Sequence, residues 1–112
     1  METTRQLKVA RLIHKEMGNL LQKEIRNILP GKLVTVTVAR ITPDLALAKI
    51  YVSVFPGNQR EEDIKHLNEM TKLFRLELGK KVKKQLRIVP EIRFYPDDSL
   101  DYIEKIDNLL NE

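Results

Sequence analysis

Four lysines, Lys80, Lys81, Lys83 and Lys84, stand within five positions, and Arg87 follows. Ammonium and guanidinium groups neutralise phosphates and release their counterions, so the chemistry open to this run is electrostatic capture of a polyanion. From 72 to 87 seven bases (Lys72, Arg75, Lys80, Lys81, Lys83, Lys84, Arg87) meet one acid, Glu77. The plain reading is a favourable helix C-terminus, where each lysine gains about 0.3–1 kcal/mol from the dipole. One or two lysines fill that role. Seven mutually repelling charges exceed it, and at about 3.6 residues per turn they spread over more than half of a helix circumference. Arg5, Lys8 and Arg11 on the first predicted helix extend the same basic set.

Catalytic readings find little support. The chain has no cysteine, so a thiolate nucleophile, thiolate metal sites and disulfides are excluded. His14 and His66 fall on different predicted helices among charged neighbours and read as surface residues. Asp97, Asp98 and Ser99 pair two carboxylates with a hydroxyl, but a capping turn before a last helix accounts for them more simply. No glycine-rich phosphate loop is present. No enzyme activity, metal, cofactor or small-molecule substrate is expected.

Charge is distributed unevenly. The formal net charge is +4 over 112 residues. From Asp97 to Glu112 six acids (Asp97, Asp98, Asp101, Glu104, Asp107, Glu112) meet only Lys105, in contrast to the basic run before them. A solubilising surface would mix the signs; this segregation predicts one positive face and one negative tail. With 42% hydrophobic and 32% charged residues the composition is that of a globular protein, and the length suits one domain over 1–112. No apolar run approaches the roughly 20 residues of a membrane span. The N-terminus lacks the apolar core of a secretory signal, so a cytoplasmic address is expected.

The elements that must position these charges are legible from periodicity. Val9, Ile13, Met17, Leu20, Leu21, Ile25 and Ile28 recur at helical spacing and predict a helix over 5–28, capped by Thr3 or Thr4 and stopped at Pro30-Gly31. "KLVTVTVARI" alternates as a strand, with Val34, Val36 and Val38 on one face and Thr35, Thr37 and Ala39 on the other. "LAKIYVSVF" sets Ile50, Val52 and Val54 against Lys49, Tyr51 and Ser53, and "TPDL" turns between the two strands. A long helix over 61–85 carries Ile64, Leu67, Thr71, Phe74, Leu78 and Val82 inward, with Gly79 marking a bend or a close contact. A third strand turns Ile92 and Phe94 in and Arg93 and Tyr95 out; its pairing partner is left open. A last helix, "SLDYIEKIDNLL", follows. The order predicts an α+β domain, a three-stranded sheet covered by helices on one face. Phe74 and Phe94 read as core and few other aromatics exist, so backbone recognition is favoured over base stacking.

Two stretches carry a family resemblance. "VTVTVARITPDLALAKIYVSVF" and "FRLELGKKVKKQLRIVPEIRFYPDDSLDYIEKIDNLL" are similar to ribosome-binding factor A in its valine-rich strand, Pro-Asp-Leu turn, Leu-Gly-Lys, Val-Pro-Glu and Asp-Asp-Ser motifs. The resemblance implies a type II KH-like fold with a C-terminal helix. It also implies a non-catalytic bacterial factor, often needed in the cold. Such a factor binds the small ribosomal subunit and its immature ribosomal RNA, and assists late maturation including the 5′ end. A monomer is expected when free. The alternative is a protein-interaction module whose basic face meets an acidic partner. The chain departs from the family at Met70, Thr71 and Lys72, where an Ala-x-Gly kink is usual. This predicts a weaker kink, or one displaced towards Gly79.

Overall fold

The computed structural model describes residues 2–97 of the chain. Helix α1 spans Thr4–Ile28. The Thr3 hydroxyl accepts from the Gln6 amide at 3.1 Å while the Thr3 amide donates to Gln6 Oε1 at 3.0 Å, a reciprocal cap that satisfies two otherwise orphan donors. Gln6 is buried, and its Nε2 donates to the Ile41 carbonyl at 3.2 Å, tying the first turn of the helix to the sheet. The buried stripe of α1 is the one expected, with Ala10 and Gln6 added to it.

Strands β1 (Leu33–Ile41) and β2 (Leu47–Phe55) pair antiparallel, and β3 (Glu91–Pro96) pairs parallel to β2, so β2 is central. A parallel neighbour needs a crossover, here supplied by α2 (Arg60–Glu69) and α3 (Thr71–Val82). The buried strand residues come from one face: Val34 and Val36, then Ala48, Ile50, Val52 and Val54, then Ile92 and Phe94. Phe74 of α3 meets Phe94 edge to face, with ring centroids 5.3 Å apart. The predicted last helix, residues 99–110, lies outside the described residues.

Three expectations need correction. Val38 does not share the inner face with Val34 and Val36. Val36 pairs with Val52 but Val38 pairs with Tyr51, so Thr37 is an extra residue in β1. Such a bulge shifts the alternation by one, turning Val38 outward and Ile41 inward. Second, the helix over 61–85 is two helices, broken at Met70, and α3 ends at Val82 in a turn over 83–85. The break therefore falls at the family position although no glycine stands there. Met70 lies at φ −102° and ψ 12°, a negative φ open to any side chain, so none is required. Its amide donates to the Leu67 carbonyl at 3.0 Å, and the Thr71 hydroxyl donates to the Asn68 carbonyl at 3.2 Å. The third concerns Gly79, which does not break a helix: α3 continues through it to Val82.

Asn68 gives the break a tertiary cause. Its Nδ2 donates to the Phe94 carbonyl at 3.0 Å and its Oδ1 accepts from the Phe94 amide at 2.8 Å. The side-chain amide thus takes the place of a neighbouring strand on the edge strand β3. The start of α2 is held as well: Asp63 is buried 3.4 Å from the Lys32 ammonium, although Asp63 Oδ2 makes no well-aligned hydrogen bond. The β1–β2 turn is held by Thr42 and Asp44. The Thr42 hydroxyl donates to Asp44 Oδ1 at 2.7 Å and the Ala46 amide donates to the same oxygen at 3.1 Å. These bonds, the Thr42 hydroxyl first, hold the exposed carboxyl below its ordinary 3.8. Its contribution to the turn is present above that value and is lost as pH falls through the lowered one.

Two stability effects follow. Asn68→Ala removes both bonds to Phe94 and should lower unfolding free energy by about 1–3 kcal/mol, measured by urea denaturation. A Cβ at Gly79 would meet only Val89 Cγ2, at 3.4 Å, which is ordinary contact. Gly79→Ala should therefore stabilise the protein by about 0.5–1 kcal/mol, read as a raised Tm.

Candidate nucleic-acid interface

The break at Met70 sets which way the basic residues of α3 face. Val82, Leu78 and Phe74 point into the core, because each has an apolar partner on α1 or the sheet. Lys72 and Arg75, then Lys80 and the capping residue Lys83, each pair three positions apart, lie along one flank. Together with Leu76, Gly79 and Val89 they line a shallow groove. Its floor is apolar and open: Leu76 is 60% exposed. A neutral floor under a row of cations suits a chain of phosphates carrying less polar sugars.

Arg75 is fixed in this groove. Its Nε and Nη2 donate to the Val89 carbonyl at 3.2 and 2.9 Å. A neutral acceptor positions the guanidinium without cancelling its charge. Lys80 lies 3.2 Å from Glu77 Oε1, an exposed pair of the kind worth about 0–1 kcal/mol, so this contact holds the ammonium only weakly. Lys72, Lys81, Lys83, Lys84 and Arg87 form no ion pair among the described residues.

The other sequence candidates divide. Arg87 does not join the lysine flank; the turn after α3 carries it beside Arg5 and Lys8 of α1, where the three share a second groove with Leu86, Ile88 and Asp44. Lys81, Lys84 and Arg11 are exposed and line neither groove. Lys80 and Lys81 occupy the last turn of α3, where the dipole also favours them.

Sequence reasoning missed a third set. Arg93 lines a groove with Asn68, Thr71, Lys72 and Arg75, so the edge strand brings a cation of the sheet to the helical flank. Arg93 in turn pairs in register with Lys49, and Lys49 with Arg40. The alternation that turns Arg93 and Lys49 outward was legible; that they are neighbours was not, because the partner of the third strand was open.

His14 and His66 are exposed on separate helices, and His66 Nδ1 meets only Glu69 Oε2, at 3.9 Å. Asp98 and Ser99 lie outside the described residues. Among the described residues no group of three or more His, Asp or Glu side chains is placed to hold a metal ion, and no helix is long and apolar enough to cross a membrane.

Comparison with known proteins agrees with this architecture. The family model described as ribosome-binding factor A matches residues 5–110. A ribosome-binding factor A of Cytophaga hutchinsonii is 42% identical over 112 residues, all of this chain and 84% of the relative. That of Flavobacterium psychrophilum is 43% identical over 111 residues, 98% of this chain and 85% of the relative. Among solved structures, the crystal structure of ribosome-binding factor A from Thermus thermophilus superposes with a TM-score of 0.69 at 20% identity, over 81% of this chain and 94% of that one. A homology model of the Thermus thermophilus factor, as fitted into a cryo-EM map of its complex with the 30S subunit, gives 0.59 at 20% identity, over 78% and 93%. These structural neighbours share the α+β, KH-like arrangement of helices on one face of a three-stranded sheet. The match runs through nearly every element that builds the core and the basic flank, and the chain belongs to the ribosome-binding factor A family.

Proposed function

We propose that this chain is a non-catalytic assembly factor. It binds the small ribosomal subunit and its immature RNA, and assists late maturation of that RNA, including its 5′ end. The observation that carries the reading is the groove of Lys72, Arg75, Lys80 and Lys83 over an exposed apolar floor, in a member of this family. The Thermus thermophilus factor, fitted into a map of its 30S complex, supports the choice of partner. Lys81, Lys84 and Arg87 supply further charge, and Arg5, Lys8 and Arg11 carry it onto α1. The factor acts as one cytoplasmic domain, monomeric when free.

The mechanism needs no chemical step. Cations on a rigid helix match the phosphate spacing of one RNA conformation better than others, and the difference in affinity shifts the population towards it. Help of this kind matters most in the cold, when misfolded RNA escapes slowly.

Co-sedimentation with small subunits tests the reading. The wild type should co-migrate at low salt and dissociate as salt rises, with about 0.7–0.9 logarithmic units of affinity lost per tenfold salt for each phosphate contact. Reversal of Lys80, Lys81, Lys83 and Lys84 to Glu should weaken binding at least 100-fold and flatten the salt dependence by about 3 units, while the circular dichroism spectrum persists. Unchanged binding would sink the assignment of these residues. Capture that resists ribonuclease and recovers no ribosomal RNA would point instead to an acidic protein.

A further inference from the structure

The sheet face that bears no helix among the described residues carries an arrangement that fold stability does not call for. Arg40, Lys49 and Arg93 stand in one row across all three strands, each in register with the next. Like charges directly opposite one another weaken a sheet. Arg40 is partly answered by Glu2 at 3.7 Å; Lys49 and Arg93 form no ion pair among the described residues. In the next row Val38 pairs with Tyr51 and Tyr51 with Tyr95. The two tyrosine rings stack, with centroids 5.4 Å apart and planes 26° from parallel. The bulge at Thr37 completes this row, for without it Val38 would face the core.

We infer that this face is a second RNA-binding surface, one that takes single-stranded RNA by stacking bases on the tyrosine pair and holding phosphates with Lys49, Arg93 and Arg40. Each half of the arrangement has one complementary feature in such a strand. Every base offers a π-face to an aromatic platform, and sequence-tolerant stacking on a sheet is a recurring mode of single-strand recognition. The cation row lies two residues along the strands from the tyrosines, the nearest row on the same face. A shallow groove, lined by Arg40, Lys49, Tyr51 and Val38, joins the two rows. Glu2 and Asp97 edge the same groove and oppose a phosphate there, which directs the backbone towards Lys49 and Arg93. Duplex RNA is excluded as the occupant because its bases are already stacked on one another.

The surface is continuous with the helical flank. Arg93 shares a groove with Lys72 and Arg75, so a strand leaving the sheet over the edge of β3 meets the α3 cations next. The choice of RNA over DNA rests on the proposed function; the sheet site itself stands on separate residues.

The chain has no tryptophan and three tyrosines, so tyrosine emission reports the site once Tyr102 is replaced by Phe. Titration of that Tyr102→Phe protein with an oligouridine of about twelve nucleotides should quench the emission and saturate. Tyr95→Leu should weaken binding about tenfold, followed by anisotropy of a labelled oligonucleotide. Lys49→Glu with Arg93→Glu should weaken it at least tenfold and flatten its salt dependence by about 1–2 units. Ultraviolet crosslinking of the wild type, which needs no variant to fold, should place uridine on Tyr51 or Tyr95. Equal affinity for a duplex of the same length overturns the inference, as does binding indifferent to both sheet variants. An oligonucleotide that leaves tyrosine emission unchanged, while subunits still co-sediment, overturns it too and leaves the ribosome assignment standing. The face would then belong to a protein partner or to residues 98–112 of the chain itself. Loss of co-sedimentation on reversal of the four lysines has no bearing on tyrosine quenching, so the two proposals fail separately.

Discussion

The inner face of β2 is the constraint to which the rest of the molecule answers. Ala48, Ile50, Val52 and Val54 are almost wholly withdrawn from solvent; the first three are flanked by a strand on either side, and Val54 by β1. A strand so placed must be covered on that face by something apolar, and here the helices supply the cover. The stripe of α1 and those of α2 and α3 therefore converge on it. Burial on the scale of the 23 apolar residues that the described residues contribute to this core, at roughly 25 cal/mol per Å² of apolar area, is what opposes the entropy of ordering the chain. Apart from buried Gln6 and Asp63, the polar side chains are pushed to the helix flanks, the turns or the opposite sheet face.

That sorting produces two basic surfaces from one core. On α3 the inward positions are taken by Phe74, Leu78 and Val82, so the lysines between them have nowhere to go but the flank. On the sheet the inward positions of β2 and β3 are apolar, so Lys49 and Arg93 share the outer face. The edge of β3 joins the two, and Asn68 occupies the backbone positions there that another strand could have used. The same contact ends α2 and starts α3 in a new direction. One side chain thus closes the sheet edge and helps to orient the lysine groove.

The fold was legible wherever a periodic pattern met no interruption. The stripe of α1, the inward set of β2 and the in–out order of β3 all stand where alternation and helical spacing place them. Failures came where one residue changed the count or a distant partner changed the chain direction. At Thr37 local propensity gives no sign of an extra residue, because threonine suits a bulge and a regular strand alike. At Met70 the chain breaks without glycine or proline, because the break is held by Asn68 reaching 26 positions along the chain to Phe94. Gly79, which does look like a breaker, sits in unbroken helix, where even an added Cβ would meet only Val89 Cγ2 in ordinary contact.

The amino-acid sequence by itself determined the element types, the core stripes, the segregation of positive from negative charge and the family, since all of these depend on residues close together in the chain or on their order. It also placed Lys80 and Lys81 near the C-terminal end of a helix, whereas Lys83 and Lys84 fall in the cap and turn that follow. Only the tertiary structure decided which cations act together. Arg87 parts from the lysines and joins Arg5 and Lys8 because a turn separates it from α3. Arg40, Lys49 and Arg93 form a row, and Tyr51 stacks on Tyr95, because β3 pairs parallel with β2 at one particular register. Register between strands separated by two helices is fixed by how the core packs, a property of the folded whole that no local run of residues contains.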